Sequence, residues 1–127
     1  MSGKKVVLDT NFLLVPYQFG IDVFVEIERV LQVPHEFIIP SGVIGEVERL
    51  GKGKGKEGAA ARFAAKLLGK NKCTVVPSEG NVDNWIFEYA LKEEAVVATN
   101  DRLLRNRLKK RRVKVISLRS RSGIGVV

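Results

Sequence analysis

Lys5-Val-Val-Leu-Asp9 is a short apolar run closed by a carboxylate, a pattern that predicts a buried strand with an acid at its carboxyl end. Ala95-Val-Val-Ala98 repeats the pattern, with Asp101 three residues on. Working outward, Glu36-Phe-Ile-Ile-Pro40, Cys73-Thr-Val-Val76 and residues 113–118 read as three further strands. The intervening stretches have helical spacing. Residues 22–32 place Val23, Ile27, Val30 and Leu31 on one side, and Ser41 is placed to cap a helix that stops at Gly51. Residues 59–68 are alanine-rich, Val82, Trp85, Ile86 and Tyr89 recur at helical intervals, and residues 101–110 form the last helix. Strands alternating with helices predict an α/β protein, a three-layer α/β/α sandwich around a roughly five-stranded parallel sheet. Gly51-Lys-Gly-Lys-Gly-Lys-Glu-Gly58 reads instead as a mobile basic loop, because glycine holds a helix poorly.

The 127 residues are 45% hydrophobic and 28% charged, enough for one core and one domain, expected over 1–118 with a short basic tail over 119–127. No apolar run approaches the roughly 20 residues of a membrane span, and the N-terminus lacks a secretory hydrophobic region. A soluble, cytoplasmic protein with no membrane partner is expected. The single cysteine, Cys73, excludes a disulfide framework, and the single histidine, His35, excludes histidine-rich metal sites. Twenty-two Lys and Arg against 14 Asp and Glu give a net charge of +8. The charge is polarised: residues 102–127 hold ten basic residues and no acid, whereas residues 9–48 hold seven carboxylates. Such a face predicts a polyanionic partner, nucleic acid first.

A parallel sheet gathers its working loops beyond the carboxyl ends of its strands. Asp9, Asp83 and Asp101 all fall there, and so does one of the two glutamates of the helix after the second strand. At about 100° per residue, Glu46 and Glu48 flank the Val43, Ile44, Val47 and Leu50 face on opposite margins, and periodicity leaves both open. Asp83 and Asp101, taken singly, are ordinary acids of a first helical turn. Asp9 is costly to bury after Val-Val-Leu unless a cation or several donors meet it. Four converging carboxylates would repel one another, and Mg²⁺ or Mn²⁺ answers that repulsion with hard oxygen coordination suited to phosphodiester hydrolysis. The alternatives fit less well. A receiver domain needs an acidic pair at the first strand, a haloacid-dehalogenase-type phosphatase needs a second aspartate where Asn11 stands, and no phosphate-cradling Gly-x-x-x-x-Gly-Lys-Ser/Thr loop exists.

Four segments, Val7-Leu-Asp-Thr-Asn-Phe-Leu13, Val43-Ile-Gly-Glu-Val-Glu-Arg-Leu-Gly51, Val82-Asp-Asn-Trp-Ile-Phe-Glu-Tyr-Ala90 and Ala95-Val-Val-Ala-Thr-Asn-Asp-Arg-x-Leu104, resemble in this order the PIN-domain nucleases. The resemblance is strongest to the small archaeal and eukaryotic PIN proteins of small-subunit ribosomal RNA processing, and VapC-type toxins share the same four acids. It implies strand order 3-2-1-4-5, divalent-metal catalysis and single-stranded RNA or a ribosomal RNA precursor as substrate, cut to leave a 5′ phosphate and a 3′ hydroxyl. It assigns Asp9, Glu46, Asp83 and Asp101 as catalytic and metal-holding acids, Glu46 matching the family glutamate better than Glu48. Asn11, Thr99 and Asn100 correspond to polar supports that orient them. Asn84 stands where some relatives carry a further acid. An antitoxin partner is implied if the chain is a toxin, a homodimer is common among relatives, and a catalytically weak RNA-binding module is the third expectation. Lys52, Lys54 and Lys56 after the Glu46 helix, and Arg102 and Arg105 beside Asp101, are the candidate phosphate contacts. Trp85 and Tyr89 are expected in the core rather than stacking on bases, Cys73 as a buried small hydrophobe, and His35 as a surface or hydrogen-bonded residue.

Overall fold

Val6, Val7 and Leu8 are all sealed from solvent, yet they serve two different cores: Val6 and Leu8 pack on one side of the sheet and Val7 on the other. A strand covered on both faces has no polar side to show, which is why it reads as a continuous apolar run. A computed structural model describes residues 3–121 and 123–127. Its strands are β1 (Lys4–Leu8), β2 (His35–Pro40), β3 (Cys73–Val76), β4 (Val96–Ala98), β5 (Val115–Ser120) and β6 (Gly123–Val126), joined by α1 (Thr10–Leu13), α2 (Val15–Phe19), α3 (Val23–Leu31), α4 (Ser41–Gly51), α5 (Gly55–Lys70), α6 (Val82–Glu93) and α7 (Arg102–Lys110). The sheet order is β3-β2-β1-β4-β5-β6, and the first five strands are mutually parallel. The expected five-stranded core in order 3-2-1-4-5 is therefore present. On one face Phe12, Phe24, Ile27, Val43 and Ala61 from α1, α3, α4 and α5 close over Val6, Leu8 and Ile39; on the other, Ile86, Ala90, Leu104 and Leu108 from α6 and α7 close over Val7, Val97 and Val115.

Three local expectations are corrected, and one unassigned stretch takes shape. Residues 10–19, which carry no helical period long enough to read, form the two short helices α1 and α2, the second ended by Gly20 in the left-handed region. Ser41 is not the cap of α4: Pro40 holds that position, and the free amide of Gly42 is satisfied from across the molecule by Ser78 Oγ at 2.8 Å, while Ser41 Oγ accepts from Ser78 N at 2.9 Å. The glycine–lysine stretch is no mobile loop. Only residues 52–54 separate α4 from α5, and Arg62 Nη1 donates to the carbonyls of Gly51 and Gly53 at 2.7 and 2.9 Å. The basic tail is instead the sheet's edge: β6 pairs antiparallel with β5, and Ile124, 5% exposed, joins the first core. One buried isoleucine and the ladder bonds outweigh the solvation preference of the flanking Arg119 and Arg121. Ser122, part of the expected tail, lies outside the described residues, as do Met1 and Ser2 of the N-terminus.

Val23, Phe24 and Ile27 bury the apolar face of α3 within the chain's own core. Among the described residues no helix is long and apolar enough to cross a membrane.

Candidate active site

The peptide chain turns sharply after β1 because Asp9 caps α1: its Oδ1 accepts from Thr10 N at 2.8 Å. Its other carboxylate oxygen, Oδ2, accepts from Thr99 Oγ1 at 2.8 Å. Thr99, directly after β4, is fully buried, and its hydroxyl in turn accepts from Asp101 N at 3.0 Å. One hydroxyl thus ties the acid after β1 to the residue that caps α7, where Asp101 Oδ1 accepts from Leu104 N at 2.9 Å. Asn11 and Asn100 brace the same corner. Asn11 Oδ1 accepts from Asn100 N at 3.0 Å, and Asn100 Oδ1 accepts from Leu118 N at 2.8 Å and lies 2.9 Å from Ser117 Oγ. Replacing Asn100 by Ala leaves the Leu118 amide without its acceptor, and an expected loss of about 1 to 2 kcal/mol should appear in chemical denaturation; a loss within error would remove the bracing role.

Asp83 enters from the first turn of α6, which Asn81 caps by accepting from Asn84 N at 2.9 Å. Glu46 enters from α4. Together Asp9, Glu46, Asp83 and Asp101 line one open cavity of about 540 Å³. Between the two glutamates that periodicity left open, the structure distinguishes plainly: Glu46 is half-buried in the wall and Glu48 is exposed outside it. Three polar wall residues were not foreseen from the sequence. Glu57, from the first turn of α5, adds a fifth carboxylate, and Arg49 adds a cation whose Nη2 lies 3.7 Å from Glu46 Oε2. Thr10 also lines the cavity, and its hydroxyl is buried with no hydrogen-bond partner. Thr10 and Arg49 sat inside quoted motifs, next to Asp9 and three after Glu46, which was the available signal. Glu57 had none, because its position depends on how tightly α4 turns into α5.

The electrostatics of the corner follow from burial. Asp9 is 4% exposed, and its carboxyl is pushed up to about 6, chiefly by loss of hydration; the bonds from Thr99 and Thr10 pull it down, and Asp83 and Asp101 push it up further. Asp83 is also raised, first by burial and then by Asp101 and Glu46, with Arg107 opposing. As the side chains stand, no three carboxylates among the described residues close on a single point. The donor set still suits a hard divalent cation: all its candidate ligands are oxygens, burial and the neighbouring acids raise the proton affinity of Asp9 and Asp83, and the unpartnered Thr10 hydroxyl borders the same space.

The five cations singled out for phosphate contact are not in the cavity wall. Lys52, Lys54 and Lys56 are exposed at the α4–α5 junction, Arg102 is exposed on α7, and Arg105 is half-buried there. Trp85 and Tyr89 stack on each other, centroids 4.8 Å apart, half-buried against the second core. Cys73 is half-buried, its thiol raised to about 11 by burial, and His35 begins β2 with Nδ1 2.8 Å from the Val33 carbonyl oxygen.

The family described as a PIN-like domain matches residues 6–121 of this chain. The chain is 36% identical over 121 residues to ribonuclease VapC4 of Methanocaldococcus jannaschii, covering 92% of each protein. It is also 36% identical over 113 residues to ribonuclease VapC9 of Archaeoglobus fulgidus, covering 88% of this chain and 81% of that one. Among solved structures, the PIN domain endonuclease Utp24 superposes with a TM-score of 0.80 at 25% identity, over 96% of this chain and 90% of that one.

Proposed function

The chain belongs to the PIN-like domain family, and from that premise we propose that it is a divalent-metal-dependent endoribonuclease acting on single-stranded RNA. The observation that carries the reading is the convergence of Asp9, Glu46, Asp83 and Asp101, from four different elements, on one open cavity. Asp9, Asp83 and Asp101 would hold Mg²⁺ or Mn²⁺, and Glu46 would complete that set or orient the attacking water. The bound cation supplies Lewis-acid activation of that water and neutralises charge at the phosphate. Thr99 holds the Asp9 carboxylate in one orientation and anchors the turn that presents Asp101; Asn11 and Asn100 keep the β4–α7 turn against β5. Hydrolysis would leave a 5′ phosphate and a 3′ hydroxyl. The test is incubation of structured and unstructured RNAs with Mg²⁺ or Mn²⁺ and mapping of the 5′ ends. Cleavage is expected in single-stranded segments, abolished by chelator and restored by excess metal. Cleavage that persists in chelator would overturn the metal assignment.

Two biological settings share this chemistry. We favour ribosomal RNA processing in the cytoplasm, for which cutting of a precursor at one defined position is the expected result. The two relatives named ribonuclease VapC favour a toxin with an antitoxin partner. Growth arrest on expression, relieved by co-expression of a small neighbouring gene product, would decide for the toxin.

A further inference from the structure

The carboxylate cavity lies beyond the carboxyl ends of the strands. A second concavity, of about 500 Å³, opens at the opposite end, about 16 Å away along β1, and Lys4, Arg111, Arg112 and Lys114 line it against the single acid Glu94. None of these four cations has an ion-pair partner among the described residues; Lys4 Nζ reaches only the carbonyl of Glu94, at 3.4 Å. Lys4 and Lys114 also border an adjoining cavity of about 640 Å³ whose wall includes Leu31, Val33 and Pro34. Unpaired cations therefore stand beside apolar surface.

Helix α7 connects the two ends of the molecule. Asp101, its cap, lines the carboxylate cavity, while Arg111, at its far end, lines the basic one. Leu104 and Leu108 fix its buried side, and Arg102, Arg105 and Lys109 fall within about 60° of one another on another face, spread over about 10 Å. Arg107 is held by the Asn84 side chain at 2.9 Å and lies 4.4 Å from the Phe87 ring centroid, and Arg111 lies 5.9 Å from the same centroid.

Resting on the ribonuclease reading, we propose that this stripe and the Lys4/Arg111/Arg112/Lys114 concavity form an exosite for RNA, gripping substrate phosphates remote from the scissile bond. The charge complementarity is to a polyanion with a repeating charge, and the apolar wall beside Lys4 and Lys114 gives an unstacked base a surface to cover. An RNA that reaches only the carboxylate cavity would not sense the exosite.

The test is the triple variant Arg111→Gln, Arg112→Asn, Lys114→Gln, none of which lines the carboxylate cavity; asparagine tolerates the positive φ of 61° found at Arg112. Binding of oligouridylates is read by fluorescence anisotropy across a salt series, with cleavage kinetics in parallel. For an oligomer of about 20 nucleotides the variant should bind at least about tenfold more weakly, with a log K versus log salt slope less negative by about 2. Its KM should rise with kcat unchanged, whereas an oligomer of about 4 nucleotides should show no change. An unchanged slope and affinity for the long oligomer overturns the exosite. Equal binding of polyglutamate, lost in the same variant, overturns it in favour of an acidic protein partner. Because anisotropy needs no turnover, a wild-type protein that cuts no RNA would refute the ribonuclease reading while the binding comparison still decides whether this surface holds RNA.

Discussion

Asp9→Asn is expected to lower RNA cleavage by at least about a thousandfold, the loss of several kcal/mol of charge stabilisation at the reacting phosphate, while making the metal-free protein more stable above neutral pH. The two effects have one cause. Burial raises the Asp9 carboxyl from 3.8 to about 6, so between about pH 4 and 6 the folded state holds a proton that the unfolded state has released. An acid raised on folding makes stability fall as pH rises through that window and stay low above it. The ionised carboxylate therefore costs the metal-free fold roughly 3 kcal/mol above about pH 7. Asparagine removes that cost but keeps only one acceptor oxygen for the two donors, Thr10 N and Thr99 Oγ1, so the net gain should be about 1 to 2 kcal/mol. A thermal midpoint higher by about 5 °C is expected near pH 8, shrinking toward zero near pH 4, where the wild-type carboxyl is itself protonated. Added Mg²⁺ should raise the midpoint of the wild type and leave that of the variant unmoved. A variant that retains wild-type turnover, or that melts lower than the wild type near pH 8, would refute the assignment of Asp9 as a buried, repelled metal ligand.

The second large effect concerns a glycine. Gly58 is buried in the first turns of α5, and a Cβ built there would overlap the carbonyl of Gly53 and crowd Arg62 Nη1. The obstruction is main chain, which cannot swing aside as a side-chain tip can. Gly58→Ala is expected to cost about 2 to 4 kcal/mol despite alanine's better helix propensity. It should also lower cleavage, because the neighbouring Glu57 lines the carboxylate cavity from the same turn. The comparison variants are Gly45→Ala and Gly69→Ala, where an added Cβ meets nothing within 4 Å and the residues lie in α4 and α5. Each should stabilise by about 0.5 to 1 kcal/mol in chemical denaturation. Equal behaviour of all three would mean that the α4–α5 junction is as loose as its composition implies.

That junction shows why parts of the molecule were illegible. Seven of the eight residues from Gly51 to Gly58 are glycine or lysine, and local propensity favours disorder. What orders them is Arg62, a turn further along α5, bonded to two of their carbonyls. The C-terminal strand was hidden similarly, since Arg119 and Arg121 just before it and the two glycines within it mask the buried Ile124. The α4 cap comes from Ser78, 36 residues away from the amide that it satisfies.

The sequence by itself determined the alternation of five strands with helices, because strands covered on both faces, as β1 and β4 are, must be apolar throughout and such a run is visible without knowing its neighbours. It also placed Asp9, Asp83 and Asp101 at the working end of the sheet, since parallel strands share one direction. Tertiary structure alone separated Glu46 from Glu48, brought Glu57 and Arg49 to the cavity wall, turned a basic tail into an edge strand, and set the cations of β1 and the α7–β5 turn around one concavity. The division follows from range. Burial and period are written in neighbouring residues, whereas the meeting of side chains far apart in sequence is decided by how helices turn and pack.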